Sequence, residues 1–315
     1  MTTYIGVDIG KDYFDVAVAQ TNDVKRFSNE EPGYQALIQW LPNQDCAIVM
    51  EATGKYSLGL ALALYEQKIS VSVVNPTRIK RYAQSQLNRT KTDKEDAKLI
   101  ADFAMTQRPK PWQPPSPTLR KLQEWHRIQS LLIKQKSQLK NQMNSSLELE
   151  IQEFEQEQIE YLNQQLKQIE AKIKKCLRSD DELLSQVKLL ETIPGIAEAT
   201  ATRLLVGIRN ISYFGKAKHM ARFMGLAPLI RQSGSSLNTS KMSKMGDAEL
   251  RKALYMPALS AIRHNRVINR FSERLKANGV KGKKRVVAVM RKLIHIVFAV
   301  LKHGKPFDPE YKNCA

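Results

Sequence analysis

Cysteine is scarce in this chain of 315 residues, and long apolar runs are absent. The three cysteines are far apart and odd in number: Cys46, Cys176 and Cys314. This spacing excludes a disulfide framework and a cysteine-based zinc site, and it is typical of a reducing cytoplasm. No apolar run approaches the 18 or so residues that cross a bilayer, and Asp8, Lys11 and Asp12 interrupt any leader-like core at the N-terminus. We therefore expect a cytoplasmic protein with no membrane partner.

Negative charge is also in short supply. The chain has 31 Asp and Glu residues against 50 Lys and Arg residues, a formal net charge of +19. Residues 233–305 alone contain seventeen basic residues and three acidic ones, a net charge of +14. A merely solvated surface usually mixes both signs, so this imbalance favours a polyanionic partner, and nucleic acid is the first choice.

Residues 1–108 read as alternating strands and helices. The apolar run at 4–7, a turn at 10–12 and the alternating run at 14–19 predict a β-hairpin. Helices are predicted near 34–41, 58–67, 78–86 and 93–105, and further strands at 47–51 and 69–74. A hairpin that leads into strands and helices, with acids at strand ends and on a late helix, predicts an α/β fold of the RNase H-like type. Asp12 and Asp15 are expected on the hairpin turn and its exposed face.

Proline and glycine divide the rest of the chain. Residues 109–117 are rich in proline and predict a linker. Residues 118–187 contain neither residue and repeat apolar positions at helical spacing, which predicts two long helices in an antiparallel pair or an intermolecular coiled coil. Residues 188–315 predict a mostly α-helical domain. Its I-P-G-I turn at 193–196 matches either a helix-hairpin-helix element that holds a phosphate or a plain turn between helices.

Four acidic residues stand where a carboxylate is hard to explain structurally. Asp8 interrupts the first apolar strand and Glu51 ends the second, while Asp93 and Asp96 lie three apart at the start of a helix. Charge at the end of a buried strand is costly unless it is compensated. Clustered carboxylates are what Mg²⁺ prefers. These four residues, the acid quartet, therefore predict metal-dependent phosphodiester chemistry on nucleic acid.

A second candidate site follows at Ser233. The run S-G-S-S at 233–236 is small and flexible, and Arg231 and Lys241 flank it. Such a loop would let a hydroxyl group approach a phosphodiester while cations neutralise the phosphate. We predict phosphate contacts at four basic residues: Arg231, Lys241, Lys244 and Arg251. A serine and glycine stretch is more often a plain loop, so the residues alone leave the role of Ser233 open.

The order of these motifs resembles one family over nearly the whole chain: the DEDD transposases of insertion sequence family 110, whose relatives include the pilin-gene invertase Piv. The matching motifs are Y-I-G-V-D at 4–8, E-A-T-G at 51–54, V-N-P at 74–76, K-T-D-K-E-D-A at 91–97, I-P-G-I at 193–196, F-M-G-L-A-P at 223–228, S-G-S-S at 233–236 and R-K-A-L-Y-M-P-A at 251–258. None of the five catalytic positions departs from the family pattern.

The resemblance implies a RuvC-like catalytic domain at 1–108, a coiled-coil region at 118–187 and a C-terminal transposase domain at 188–315. It assigns Mg²⁺ to the acid quartet and the nucleophile to Ser233. It further implies donor and target DNA as substrates, a bridge RNA as guide, and dimers that assemble to a tetramer on nucleic acid. In such an assembly the RuvC-like domain of one subunit meets the serine of another.

Three other functions stay open at this point. A Piv-like site-specific DNA invertase would use the same chemistry on inverted repeats. A RuvC-like nuclease would hydrolyse DNA with metal-activated water, and Ser233 would then be a loop residue. A non-catalytic DNA- or RNA-binding protein would not need the acids, so the intact quartet weighs against it.

Overall fold

The structure is a computed structural model that describes residues 2–21, 23–42, 45–86, 92–233, 237–242 and 245–310. The chain divides into two compact units, Met1–Pro114 and Pro115–Ala315. No helix in the described ranges is long and apolar enough to cross a bilayer. The N-terminal unit is built around a mixed sheet, and the C-terminal unit is mostly helical.

Five strands form the sheet of the N-terminal unit in the order β3-β2-β1-β4-β5. The first three are antiparallel neighbours, and β1, β4 and β5 run parallel. Their bounds are Thr3–Ile9 for β1, Tyr13–Val18 for β2, Val24–Ser28 for β3, Cys46–Glu51 for β4 and Ser70–Val74 for β5. The predicted hairpin and the two later strands are confirmed, and β3 is an edge strand that the sequence pattern did not indicate.

Helices cover both faces of this sheet. They are α1 (Glu31–Trp40), α2 (Lys55–Glu66), α3 (Pro76–Ser85) and α4 (Asp93–Gln107). Alternate residues of a strand point to opposite faces. One face packs Ile5, Val7 and Ile48 against α1 and α2, and the other packs Val49 against α3 and α4. The acids Asp8 and Glu51 share the second face with Val49, and this position determines their neighbours.

The proline-rich segment is bound to the edge of the sheet for part of its length. The Trp112 backbone nitrogen donates a 2.7 Å hydrogen bond to the Val71 carbonyl. The Ser72 hydroxyl donates to the carbonyls of Pro109 and Lys110 at 3.1 and 2.9 Å. Strand β5 is thereby covered at its outer edge, which is a common protection against edge-to-edge pairing.

The C-terminal unit begins with two long helices, α5 (Pro117–Met143) and α6 (Leu149–Arg178). They are antiparallel, because Thr118 at the start of α5 lies beside Cys176 at the end of α6. At the opposite end of the pair Leu147, Leu149 and Phe154 expose 92%, 75% and 62% of their surface. An apolar end of this kind normally needs a partner.

Within the described residues, six more α-helices, a short 3₁₀ helix at Ile211–Tyr213 and one hairpin complete this unit. The α-helices and strands are α7 (Asp181–Glu191), α8 (Glu198–Ile208), α9 (Ala217–Phe223), β6 (Pro228–Ser233), β7 (Leu237–Met242), α10 (Ala248–His264), α11 (Arg266–Ala277) and α12 (Gly282–His303). Buried residues such as Leu204, Leu254 and Leu293 join the helices in one core.

The I-P-G-I turn joins α7 to α8 and lies against α10. Ile193 and Ile196 are buried, and the space beside Gly195 is filled by Ala261. The amide of Asn265 donates a 3.5 Å hydrogen bond to the Pro194 carbonyl. Packing inside the unit therefore accounts for the small and apolar residues of this turn. Phosphate binding at the turn stays a prediction.

A buried histidine predicts a loss of stability in mild acid. The Nδ1 atom of His126 on α5 lies 3.3 Å from Gln129 Oε1, which also accepts a 2.8 Å bond from Arg203. Burial, and then the charge of Arg203, lower the pKa of His126 to about 4. The unfolded chain, with an ordinary histidine pKa near 6.5, takes up the proton first. The contribution of His126 is therefore complete above pH 6.5 and is lost as the pH falls towards 4.

We expect this contribution to be roughly 2 to 3 kcal/mol. It is measured as the difference in free energy of unfolding between the wild-type protein and His126→Gln, by urea denaturation at a series of pH values from 7 to 4. The difference is necessary because burial also lowers the pKa of His295, which acts in the same direction. Parallel curves for the two proteins would contradict the assignment.

Candidate active site

A row of charged residues crosses the sheet of the N-terminal unit. Asp8 lies opposite Asp15, and Asp15 lies opposite Arg26. On the other side Val7 is level with Met50, so the next residues, Asp8 and Glu51, are neighbours on parallel strands. Four of the five strands thus contribute one charged residue each at the same level of the sheet. The fold brings the two strand acids of the quartet together, as the sequence predicted for acids at strand ends.

Helix α4 brings the other two acids to the same face. The helix begins at Asp93, after the Thr92 side chain, which accepts a 3.3 Å hydrogen bond from the Glu95 nitrogen. It crosses β1 at Gly6, where an added Cβ would overlap with the Ala97 carbonyl and the Ala101 nitrogen. Gly6 and Asp8 point to the same face of the sheet. The first turn of α4 therefore lies beside Asp8.

Gly6→Ala is expected to destabilise the N-terminal unit by at least about 2 kcal/mol, because the methyl group would meet backbone that has no rotamer to change. Chemical denaturation measures the loss. Gly215→Ala is the matched control, since nothing lies within 4 Å of the position that its methyl group would take. An unfolding free energy within 0.5 kcal/mol of the wild type, on the order of an ordinary surface substitution, would contradict this close packing.

Asp15 and Arg26 form an ion pair that sequence reasoning missed. Asp15 was expected on an exposed face, and this prediction was wrong, because its side chain is buried on the side that α4 covers. Arg26 compensates the buried charge with two hydrogen bonds, Nε to Oδ1 at 3.0 Å and Nη2 to Oδ2 at 2.7 Å. The same Nη2 lies 3.2 Å from Asp93 Oδ2. A permanent cation therefore touches the edge of the acid quartet. The prediction for Asp12 is confirmed, since it is exposed in the turn.

The protonation of Asp8 reports how close the acids are to one another. Burial raises the pKa of Asp8, and the charges of its neighbours raise it further, to about 6, in the order Asp96, Asp93, Glu51 and Asp15. One pKa unit corresponds to about 1.4 kcal/mol, so burial and repulsion together make the ionised form of Asp8 costly to the folded protein. A carboxyl group whose pKa is raised by burial and by nearby carboxylates is typical of a functional site.

The donor set has the chemistry of a site for a hard divalent cation but not, in this arrangement, the spacing of one. Among the described residues, no three His, Cys, Asp or Glu side chains are close enough together to hold one ion. All four members of the quartet offer oxygen ligands, and a bound cation would relieve the repulsion at Asp8. To bind a metal, Asp93 would have to give up its ion pair with Arg26. The Asp93 side chain is 72% exposed and can therefore change rotamer easily.

The serine candidate lies in the other unit. Ser233 is the last residue of β6, so the predicted loop begins at the end of a strand. Two predicted phosphate contacts lie in the same hairpin, Arg231 in β6 and Lys241 in β7. Residues 234–236 and Lys244 lie outside the described residues. Arg251 is on the first turn of α10, and its Nη1 atom donates to two backbone carbonyls at 3.1 and 3.0 Å. The phosphate contacts and the role of Ser233 stay predictions.

Both units match known transposases. A family model described as Transposase covers residues 5–151, and one described as Transposase IS116/IS110/IS902 family covers residues 187–273. The pilin gene-inverting protein of Moraxella bovis is 34% identical over 97% of this chain and 98% of that relative. This chain belongs to the IS116/IS110/IS902 transposase family. The pilin gene-inverting protein of Moraxella lacunata is also 34% identical, and the transposase for insertion sequence element IS1111A of Coxiella burnetii is 24% identical over 82% of the chain.

Both candidate sites lie in parts of the chain that match transposase family models. The first family model includes the whole cross-sheet row and the first turn of α4. The second includes the β6–β7 hairpin and α10. The family match agrees with the resemblance inferred from the motifs, which is thereby confirmed.

Proposed function

We propose that this IS110-family protein is a DNA recombinase that cuts and rejoins donor and target DNA through a serine–phosphate intermediate. The acid quartet would hold Mg²⁺ and Ser233 would be the nucleophile. The single observation that carries the metal half of the proposal is the convergence of four carboxylates around Asp8, whose pKa is raised to about 6 by burial and by its neighbours. The family match supports the recombination half.

The sheet supports an RNase H-like, RuvC-like fold for the N-terminal unit. Three antiparallel strands followed by two parallel ones, in the order β3-β2-β1-β4-β5, put the ends of β1 and β4 side by side at its centre. Helix α4 packs on one face of the sheet at Gly6 and carries Asp93 and Asp96 in its first turn. This arrangement accounts for the order of the quartet along the chain, because two acids come from strands and two from a later helix.

Bound Mg²⁺ would polarise the scissile phosphate and stabilise the charge that develops on its oxygens. The chain's own residues have distinct tasks. Asp8 and Glu51 are fixed by the strands that carry them, and Asp93 and Asp96 are fixed by the capped start of α4. Arg26 pairs with the buried carboxylate of Asp15 and lies against Asp93, so it links the acids on one side of the site.

In the serine step, Oγ of Ser233 attacks phosphorus and forms a phosphoserine bond as the bond to the leaving DNA oxygen breaks. The serine proton goes to the solvent, from which the leaving DNA oxygen takes up a proton, so the step is balanced. The hydroxyl group of an exchanged strand then attacks the same phosphorus, forms the new DNA bond and releases the serine. The number of phosphodiester bonds is conserved, so no external energy source is needed.

Nucleic acid is the proposed partner, and the chain would act in the cytoplasm on DNA. The net charge of +14 over residues 233–305 supports backbone binding. The family resemblance adds a bridge RNA, and the basic residues near Ser233 add phosphate contacts at Arg231, Lys241 and Lys244. The exposed apolar end of the α5–α6 pair supports assembly through a coiled coil into dimers and tetramers, since the exposed side chains would be covered by other copies.

A site-specific invertase is the second candidate, and one observation favours it. Identity is 34% over 97% of the chain with the Moraxella pilin gene-inverting proteins, against 24% over 82% with the IS1111A transposase. Both candidates use the same chemistry and differ in the arrangement of the DNA sites.

The test combines the full-length protein with labelled donor and target DNA, the RNA transcribed beside its gene, and Mg²⁺. A denaturing gel detects a protein–DNA adduct, and sequencing of the products distinguishes insertion from inversion. We expect an adduct that depends on Mg²⁺ and that precedes rejoined strands. Free hydrolysed ends without an adduct at any time would establish the nuclease instead. Identical products with and without the RNA would remove the guide from the proposal.

A further inference from the structure

The two ends of the β6–β7 hairpin meet at a pair of glycines. Gly225 precedes β6 and Gly246 follows β7. An added Cβ on Gly246 would overlap with the Gly225 nitrogen and the Phe223 carbonyl. Gly225 and Gly246 have φ values of +69° and +145°, in the region that favours glycine. The backbone therefore crosses at a distance that no residue with a side chain allows.

Arg251 holds this crossing from the first turn of α10. Its Nη1 atom donates to the Met224 carbonyl at 3.1 Å and to the Gly246 carbonyl at 3.0 Å, one carbonyl on each side of the hairpin. The same nitrogen would overlap with a Cβ on Gly225. One guanidinium nitrogen has two hydrogens, and both are used here.

The helix that carries Arg251 is itself fixed to the crossing. The Asp247 side chain caps α10 by accepting hydrogen bonds from the Glu249 and Leu250 nitrogens at 2.9 and 3.1 Å. The Asp247 nitrogen donates to the Phe223 carbonyl at 3.4 Å. Leu250 and Leu254 are buried in the core of the unit. The base of the hairpin is thus connected to the buried core of the C-terminal unit.

We propose that Arg251, Gly225 and Gly246 form a clasp that aims the β6–β7 hairpin, and that Arg251 is a positioning residue for Ser233. This proposal rests on the nucleophilic role proposed for Ser233. It also gives a structural role to residues of two motifs that carry the family resemblance, F-M-G-L-A-P at 223–228 and R-K-A-L-Y-M-P-A at 251–258. It replaces the phosphate contact predicted for Arg251 with a contact to the protein backbone.

The distance between the base of the hairpin and Ser233 amplifies any movement at the clasp. Ser233 lies five residues beyond the start of β6 at Pro228, which is about 17 Å at roughly 3.4 Å per residue. A tilt of about 10° at the base would move the end of the strand by about 3 Å, whereas a misplacement of about 1 Å at a reacting centre costs up to about 100-fold in rate. A small loss of order at the clasp is therefore enough to slow the serine step.

The clasp and a phosphate contact predict different measurements. Loss of a phosphate contact weakens DNA binding. It also reduces the slope of the logarithm of the binding constant against the logarithm of the salt concentration by about one. Loss of the clasp leaves both unchanged, because Arg251 Nη1 binds protein carbonyls, and it lowers only the rate of adduct formation.

Three variants of the full-length protein test the proposal: Arg251→Gln, Gly246→Ala and, as a matched control, Lys252→Gln. Lys252 is the next residue of α10 and is exposed, so its substitution removes the same charge without the carbonyl contacts. DNA affinity is measured at several salt concentrations, and adduct formation is measured in a single turnover. Hydrogen exchange of the β6 and β7 amides reports the order of the hairpin independently of the chemistry.

We expect Arg251→Gln and Gly246→Ala to form the adduct about 10- to 100-fold more slowly, with faster hairpin exchange and an unchanged salt slope. Lys252→Gln should form it at the wild-type rate. A weaker affinity and a smaller salt slope in Arg251→Gln, with unchanged hairpin exchange, would establish the phosphate contact and overturn the clasp. A normal adduct rate in Arg251→Gln would overturn it as well. Absence of an adduct in the wild-type protein would overturn the serine chemistry itself, which is a distinguishable result.

Discussion

Asp8→Asn is expected to lower Mg²⁺-dependent DNA cleavage by at least about 1,000-fold while the folded protein without metal becomes more stable. The two effects have one cause. Asp8 carries a charge that burial and its acidic neighbours disfavour, and an amide of the same shape has no charge. The substitution would remove a proposed metal ligand and, in the metal-free protein, the charge that burial and repulsion disfavour.

The stability gain is expected to be on the order of 1 to 2 kcal/mol, after a discount for the part of Asp8 that solvent reaches. It is measured as the difference in unfolding temperature between Asp8→Asn and the wild type in EDTA. The same measurement with added Mg²⁺ gives the stabilisation of each protein by the metal. Wild-type protein should gain stability from Mg²⁺, and Asp8→Asn should gain little. Asp12→Asn is the matched control, because Asp12 is an exposed carboxylate in the adjacent turn. Full cleavage activity in Asp8→Asn would remove this residue from the metal site.

Ser233→Ala is expected to abolish the covalent protein–DNA adduct and to lower recombination by at least about 1,000-fold, with DNA affinity and the fold unchanged. The reason is chemical, since alanine has no oxygen with which to form the phosphoserine bond. The adduct is counted on a denaturing gel from the labelled DNA that stays with the protein.

The neighbouring serines of the same motif provide the control. Ser235→Ala and Ser236→Ala should each retain the adduct, although both remove a hydroxyl within three residues of Ser233. If the adduct persisted in Ser233→Ala and disappeared in one of the other two, the nucleophile would be reassigned within the motif. If it persisted in all three, the serine mechanism would fail, while the metal-site prediction for Asp8 would still stand on its own measurement.

Much of the N-terminal unit could be predicted from the sequence, because its central strands are short apolar runs with an acid at or near the end. Strand β3 could not be predicted in this way. It is an edge strand with exposed Lys25 and Arg26, so it lacks the apolar alternation that indicates a strand. Missing β3 also hid the burial of Asp15, since the cation that compensates it comes from that strand, eleven residues further along.

The C-terminal unit shows a different limit. The basic composition predicted contacts to nucleic acid, yet composition does not distinguish an arginine that faces a phosphate from one that binds carbonyls. Arg251 depends on the crossing of Gly225 and Gly246, which lie 21 residues apart along the chain. The serine and glycine run at 233–236 likewise contains no sequence pattern that predicts which residues position its backbone. Contacts such as those of Arg251 depend on tertiary packing between residues far apart in the sequence.

The cross-sheet row also determines a charge balance. Five carboxylates and one guanidinium meet there, with a net charge of −4 when all are ionised: Asp8, Asp15, Glu51, Asp93, Asp96 and Arg26. A single divalent ion would leave −2 beside a DNA phosphate that is itself negative, whereas two ions would bring the group to neutrality. If the acid quartet binds metal as proposed, two divalent ions would therefore balance the charge of the row, and without Arg26 the same two ions would leave a net charge of −1.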